Sequence, residues 1–358
     1  MFSHSNALAT GFAALATLVL TSGSLAAEAP ARGVHYFGLK SQAVSQMQAK
    51  DRRPDGPMVD WSVPLTGDRT EGAFTLQDEI WNSTFKVPLH FHKKHAEVFF
   101  IMDGQVEWTV GGETHVMSAG DLVYIPPNTP HKVHVVGGKP MHTLFVSTPG
   151  GYEEEDQISR QFSKEALDTP VAKAFAAALG DFNPLPDDTV VPADNAGPGP
   201  HRDAHHFALG NKVRTAFNKS GNVSSRIVLG GDDSEGRFTW QDESWPADFN
   251  VPLHFHKRHY EVFYIVGGAV EWTVGGEAHV MHAGDVVYIP PNTPHKVHVV
   301  GGVAAHLLFI QGPGGYEATV DLANAYSKAE RERPAAKAAL DTLHDFNALK
   351  DPSPYKPK

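Results

Sequence analysis

The chain has no cysteine in its 358 residues. Disulfides, Cys-ligated zinc and iron–sulfur clusters are therefore excluded, and any metal must be held by His and carboxylate side chains. There is no basic run, and the net charge is −11, which argues against a nucleic acid as partner. Long apolar runs are also missing. The stretch at residues 7–20 is too short, and too broken by Gly and Ser, to read as a membrane span. Residues 1–26 contain no Asp, Glu, Lys or Arg, and the apolar stretch gives way to small residues ending Ser-Leu-Ala-Ala. That is the outline of a secretory signal cleaved near Ala26 or Ala27, with the α-amino group as its only positive end. The expected location is secreted or periplasmic, with no membrane span in the mature chain.

Histidine is abundant, at 21 residues, and the chain repeats itself. Residues 87–136 (VPLHFHKKHAEVFFIMDGQVEWTVGGETHVMSAGDLVYIPPNTPHKVHVV) recur without a gap 164 residues on, at 251–300, with nine differences. The similarity extends outward. Residues 71–81 (EGAFTLQDEIW) return as 235–245 (EGRFTWQDESW), and 35–39 (HYFGL) resembles 205–209 (HHFAL) at a slightly longer offset. Both copies end near Asp-Phe-Asn, at 181–183 and 345–347. The expected organisation is a leader at 1–26, an N-terminal domain at 34–183, a Pro-rich linker at 184–200 and a C-terminal domain at 201–348.

Within each copy, short apolar-alternating runs are separated by Gly and Pro turns, the pattern of a β-sandwich or barrel. Phe74 and Leu76, like Phe238 and Trp240, alternate as on a strand with one buried face. Residues 171–179 and 335–343 are rich in helix formers, and each run follows a proline, so each domain should close with a short helical segment.

His90 and His92 share a strand face because side chains alternate with period two. Glu97 opens the next strand, and His131 follows a Pro-fixed turn. If these strands line one barrel, three imidazoles and a carboxylate converge. The second copy supplies His254, His256, Glu261 and His295. Such a set suits one divalent transition metal per domain, Fe, Mn, Ni, Co or Cu in preference to Zn. His95 and His259 sit two residues before each Glu and are candidates for contact with ligand or substrate. Phe99, Ile101 and Met117, with Phe263, Ile265 and Met281, have the parity or depth to line an apolar pocket. Trp108 and Trp272 read as wall packing, and His134 should face away from the site. The copies differ at Ala96/Tyr260, Phe100/Tyr264 and Ser118/His282. Tyr260, next to Glu261, is the substitution expected to shape the second pocket.

His-x-His, four residues, Glu, six residues, Gly, then Gly-Asp and Pro-Pro-Asn-Thr-Pro-His, resembles the two sequence motifs of the cupin superfamily. Asn128 and Asn292 stand where that family often has Gly, and Asn also tolerates a left-handed turn. The resemblance implies an all-β fold of two tandem jelly-roll-like barrels, a bicupin. The four-residue spacer before Glu, and the His-Lys-Arg-His-Tyr-Glu run at 256–261, resemble the quercetinases, which cleave flavonols with dioxygen. For this chain the resemblance implies a small-molecule substrate, dioxygen as co-substrate, and Glu97 and Glu261 as the catalytic bases that take an enolic proton. Two other readings stay open: another metal-cupin enzyme (oxalate-degrading, lyase or isomerase) and a non-enzymatic binding or storage-like bicupin.

Overall fold

A computed structural model describes residues 33–40, 59–153, 169–171, 181–191, 204–210, 213–218 and 223–355. The leader, residues 172–179 of the first helical run and residues 192–200 of the linker lie outside that set. In the first repeat the strands are β1 (Tyr36–Gly38), β2 (Val59–Leu65), β3 (Thr75–Trp81), β4 (Lys86–Phe91), β5 (Ala96–Asp103), β6 (Gln105–Val110), β7 (Glu113–Ser118), β8 (Leu122–Ile125), β9 (His131–Val135), β10 (Met141–Thr148) and β11 (Asn183–Pro184). The second repeat gives β12 (His206–Ala208), β13 (Arg214–Asn218), β14 (Val223–Leu229), β15 (Thr239–Trp245), β16 (Asn250–Phe255), β17 (Tyr260–Gly267), β18 (Ala269–Val274), β19 (Glu277–His282), β20 (Val286–Ile289), β21 (His295–Val300) and β22 (Ala305–Gly312). Helices α1 (Glu317–Ala325), α2 (Lys328–Arg331) and α3 (Pro334–His344) follow, then β23 (Asn347–Ala348). Helix α3 begins at the proline that marked the second helical run.

Each repeat folds into two facing antiparallel sheets. One runs β12-β8-β5-β10-β3-β2 against β11-β4-β9-β6-β7, and the other β1-β20-β17-β22-β15-β14-β13 against β19-β18-β21-β16-β23. Turn chemistry sets the strand lengths. Gly104 has φ 83°, and a Cβ there would lie 2.7 Å from the Met141 Cα, so only glycine closes this turn. Asn128 and Asn292 adopt the left-handed conformation, with φ 64° and 61°.

The edge strands are exchanged. β1 pairs with β20 of the second barrel, Tyr36 opposite Tyr288, and β12 pairs with β8 of the first, His206 opposite Tyr124. Each repeat thus lends its first strand to the other's sheet, which covers an edge that would otherwise be open to pairing.

The larger sheet of each barrel is buried on both faces, because the barrels pack back to back. Ala96, Val98 and Phe100 on β5, with Leu76, Trp240, Val262 and Tyr264, form one apolar cluster between the barrels. The alternate residues of β5, Phe99 and Ile101, point inward and join Trp81, Trp108 and Met117. Phe263, Ile265, Trp272 and Met281 do the same in the second barrel. β3 and β15 therefore differ from the one-sided strands expected. Phe74 and Leu76 face the other barrel, and Thr75, Gln77 and Glu79 form a buried polar stripe facing inward.

This packing corrects the reading of the repeat differences. Tyr260 lies on the face of β17 opposite Glu261, its ring 5.7 Å from Phe74 and 5.8 Å from Tyr288. It fits because its cross-strand partner is Gly312, where a Cβ would fall 2.1 Å from the Tyr260 ring. The equivalent pair in the first repeat is Ala96 and Thr148. Tyr264, which replaces Phe100, donates its hydroxyl across the interface to Asp78 Oδ2 at 2.8 Å. His282 is exposed at the end of β19. None of these three substitutions shapes a barrel interior; two of them fit the barrels to each other. Tyr264→Phe is expected to lower stability by about 1 kcal/mol, read as a shift of the urea midpoint. An unchanged midpoint would show that this hydrogen bond adds nothing to the interface.

Candidate metal centre

In each barrel the first two histidines come from one strand and the third from its neighbour. His90 and His92 leave β4 and its end, and His131, opposite His90 in the β4–β9 register, starts β9. Ring centroids lie 4.1 Å apart for His90 and His131, and 5.4 Å for His92 and His131. Glu97 enters from β5 in the facing sheet, with Oε1 3.3 Å from His92 Nε2 and Oε2 3.1 Å from His131 Nε2. The second barrel repeats this: Glu261 Oε1 is 3.3 Å from His256 Nε2, and Oε2 is 3.1 Å from His295 Nε2. All eight side chains are buried. The ligand atoms of His254, His256, Glu261 and His295 lie within 4.8 Å of one another, as do those of His90, His92 and His131. Glu97 stands just outside that mutual limit and contacts two of its three histidines.

The imidazole orientations are fixed from behind. The Nδ1 atoms of His90, His92 and His131 lie 2.8, 3.0 and 2.8 Å from the carbonyl oxygens of Pro88, Asp181 and Thr129. Those of His254, His256 and His295 lie 2.8, 3.1 and 2.8 Å from the carbonyls of Pro252, Asp345 and Thr293. A carbonyl only accepts, so each Nδ1 carries a proton and each ring turns its Nε2 toward the cluster. In His92 and His256 burial works to lower the pKa, but the Glu97 and Glu261 carboxylates outweigh it and raise both. Burial, reinforced by the neighbouring His131 or His295, lowers the pKa of His90 and His254 to about 3. Burial alone would raise the Glu97 and Glu261 carboxyls, but the adjacent imidazoles outweigh it and hold both well below the usual range. The Nε2 atoms of His92, His131 and His295, and Oε2 of Glu97, are buried without a hydrogen-bond partner. Convergent imidazole Nε2 atoms, an ionised carboxylate and buried polar atoms without a partner make the donor set that a divalent transition metal requires.

The segments that hold His92 and His256 were not assigned a role from sequence. Asp181 Oδ2 accepts the backbone N–H groups of Lys94 and His95, the latter at 3.1 Å. Phe182 stacks on His90 with ring centroids 4.3 Å apart, and the Asn183 amide donates to the Phe91 carbonyl at 3.2 Å. Asp345 Oδ2 likewise accepts from the N–H groups of Lys257 and Arg258, at 2.7 and 2.6 Å, and Phe346 stacks on His254 at 4.1 Å. The signal was present in the sequence, as Asp-Phe-Asn recurring in register at the end of both repeats. His95 and His259 sit beside this clasp, Nδ1 3.4 and 3.6 Å from the Asp carboxylates, outside the group of three imidazoles. Tyr152 and Tyr316, also unassigned from sequence, close the interior: Tyr152 lies 6.2 Å from the His92 ring and 5.4 Å from Phe145. His134 faces solvent, as alternation requires.

Removing the clasp should loosen the ligands it orients. Asp345→Ala is expected to weaken metal binding in the second barrel by ~10–100-fold and to leave the first unchanged. Competition with a chelator would read this as one weakened class of site, and two classes of unaltered affinity would contradict it.

A cupin-domain family model matches residues 79–147 and 243–311, one segment in each barrel. The chain is a bicupin. Quercetin 2,3-dioxygenase of Bacillus subtilis is 25% identical over 233 residues, covering 58% of this bicupin and 64% of the relative. The bicupin thus spans slightly less than two thirds of that enzyme. Among solved structures, the oxalate decarboxylase of Lactobacillus farciminis in its formate complex aligns with TM-score 0.53 and 16% identity, over 88% of this chain and 97% of that one. A mutant of Bacillus subtilis oxalate decarboxylase aligns with TM-score 0.53 and 18% identity, over 91% and 90%. At these identities the structural matches speak for the fold. The bicupin belongs among relatives that include metal-dependent enzymes.

Proposed function

We propose that this bicupin is a metal-dependent dioxygenase that opens the ring of a flavonol or a related enolic aromatic compound. The observation that carries the reading is the set of three Nε2-presenting histidines and one ionised glutamate, repeated in both barrels and set against an aromatic interior. Phe99 stacks on Phe145 with centroids 4.5 Å apart, and Phe263 on Phe309 at the same distance. Among the described residues no Lys or Arg is buried. A small dicarboxylate would enter such an interior without a cation to meet it, at a large desolvation cost. A neutral aromatic substrate would replace apolar contacts with apolar contacts. The similarity to quercetin 2,3-dioxygenase supports the same choice.

His90, His92, Glu97 and His131, and their counterparts in the second barrel, would hold one divalent transition metal each, which when bound supplies a Lewis-acidic and redox-capable centre. The protein's part follows from its own groups. The aromatic walls orient a flat substrate and exclude water. The carbonyl contacts at Nδ1 keep each imidazole from rotating and leave Nε2 as the nitrogen that faces the cluster. Glu97 and Glu261, ionised and buried, accept the proton of the substrate's enolic hydroxyl at a carboxylate oxygen, leaving an electron-rich ring for attack by dioxygen.

The test is oxygen uptake by the metal-loaded protein with a small flavonol panel, with oxalate as the comparison substrate. Uptake that matches flavonol loss is the expected result. Turnover of oxalate with no response to any flavonol would replace this reading with an oxalate-degrading one.

A further inference from the structure

The inner face of the larger sheet carries polar side chains that the metal cluster does not use. Gln77 is fully buried, and neither its amide nitrogen nor its oxygen has a hydrogen-bond partner. Gln311, also fully buried, is in the same condition at both atoms. Gln241 has its oxygen satisfied by the Ser225 hydroxyl at 2.9 Å, and its nitrogen is orphaned. Leaving such groups unpaired costs on the order of 1–3 kcal/mol each, so native proteins rarely do it without a ligand or water to complete them.

Their positions explain what they face. Gln311 is the direct cross-strand partner of Glu261, so the two side chains project from the same face of the sheet. Gln311 is also opposite Thr239, which places Gln241, two residues further along β15, diagonally beside it. In the first barrel Ser147 is opposite both Glu97 and Thr75, and Gln77 is the diagonal neighbour. Each barrel therefore presents an orphaned carboxamide on the inner face two strands from its metal-cluster glutamate, Gln77 across β10 and Gln241 across β22. The second barrel presents two, because Gln311 stands where the first has Ser147.

We infer that Gln77 in the first barrel, and Gln241 with Gln311 in the second, form a recognition subsite for a neutral ligand that carries a hydroxyl and a carbonyl oxygen together. This rests on the dioxygenase reading and deepens it. A carboxamide offers an N–H donor and a C=O acceptor side by side, which pairs with a ketone and a second ring hydroxyl beside it and leaves the enolic hydroxyl to the glutamate. A carboxylate ligand, which only accepts, would leave the amide oxygens unpaired. Two carboxamides against one make the second barrel the tighter site.

The experiment is anaerobic binding of a flavonol and, separately, of oxalate to the metal-loaded protein, followed by quenching of protein fluorescence, with no turnover required. The native protein is expected to show two classes of flavonol site. Gln311→Ser, which installs the residue the first barrel already carries, is expected to merge them by weakening the tighter class about 10-fold at unchanged metal content. Gln77→Met together with Gln241→Met is expected to weaken both classes by a similar factor. If these Met variants do not fold, Gln311→Ser alone decides. Flavonol binding that is the same in the native and variant proteins would overturn the subsite, assign the orphaned amides to buried water, and leave the dioxygenase reading standing. Oxalate binding with no flavonol binding, or binding of neither, would overturn both.

Discussion

A chain carrying both Glu97→Gln and Glu261→Gln is expected to turn over a flavonol at least ~10²-fold more slowly than the native protein. The glutamine keeps the length and planar shape of each side chain, and the three imidazoles remain oriented from behind by Pro88, Asp181 and Thr129, or by Pro252, Asp345 and Thr293. What is lost is the negative charge that faces His92 and His131, and with it the carboxylate assigned the substrate's proton. The rate should fall in kcat, with flavonol affinity changed far less, because the aromatic walls and the carboxamides are untouched. The single variants apportion the activity between barrels. If the second barrel binds more tightly, Glu261→Gln carries most of the loss at low substrate. A double variant that turns over at the native rate would remove the carboxylates from the mechanism.

Much of the site was legible in the sequence for a local reason. Alternation along β4 places His90 and His92 on one face, and the exact repeat fixes every counterpart. Glu97 and His131 needed the motif spacing, since their strands lie in different sheets. Four features stayed hidden. The clasp at Asp181 joins its carboxylate to the N–H groups of Lys94 and His95 and its carbonyl to His92 across a long separation in sequence, so its residue type alone does not name its partners. The strand exchange is invisible because residues 35–39 and 205–209 are alike enough to suit either barrel. Tyr260 was misread although its parity opposes that of Glu261. β17 is buried on both faces, so its near-continuous apolar run does not reveal which side faces the neighbouring barrel. The inward stripe of Thr75, Gln77 and Glu79 was obscured in the same way: polar residues on a strand suggest solvent, and here they face the barrel interior.

His131→Ala combined with His295→Ala is expected to weaken metal binding in both barrels by more than the ~10–100-fold typical of removing a supporting partner. Each change deletes a donor whose Nε2 faces Glu97 or Glu261 at 3.1 Å. It also leaves a buried carboxylate facing fewer compensating imidazoles, so the loss is both a missing bond and a repulsive desolvation term. The barrels themselves should survive, since their cores are built from Trp81, Phe99 and Trp108, and from Trp245, Phe263 and Trp272, rather than from the cluster.

The central claim is that each barrel holds one transition-metal ion on its three histidines and glutamate. Elemental analysis of the purified, folded chain measures this directly, with the single variant His254→Ala beside it. The expected result is one ion per barrel in the native protein, and loss of the ion from the second barrel only in His254→Ala. A folded native chain that takes up no transition metal on reconstitution, or a metal content that ignores the loss of His254, would contradict it.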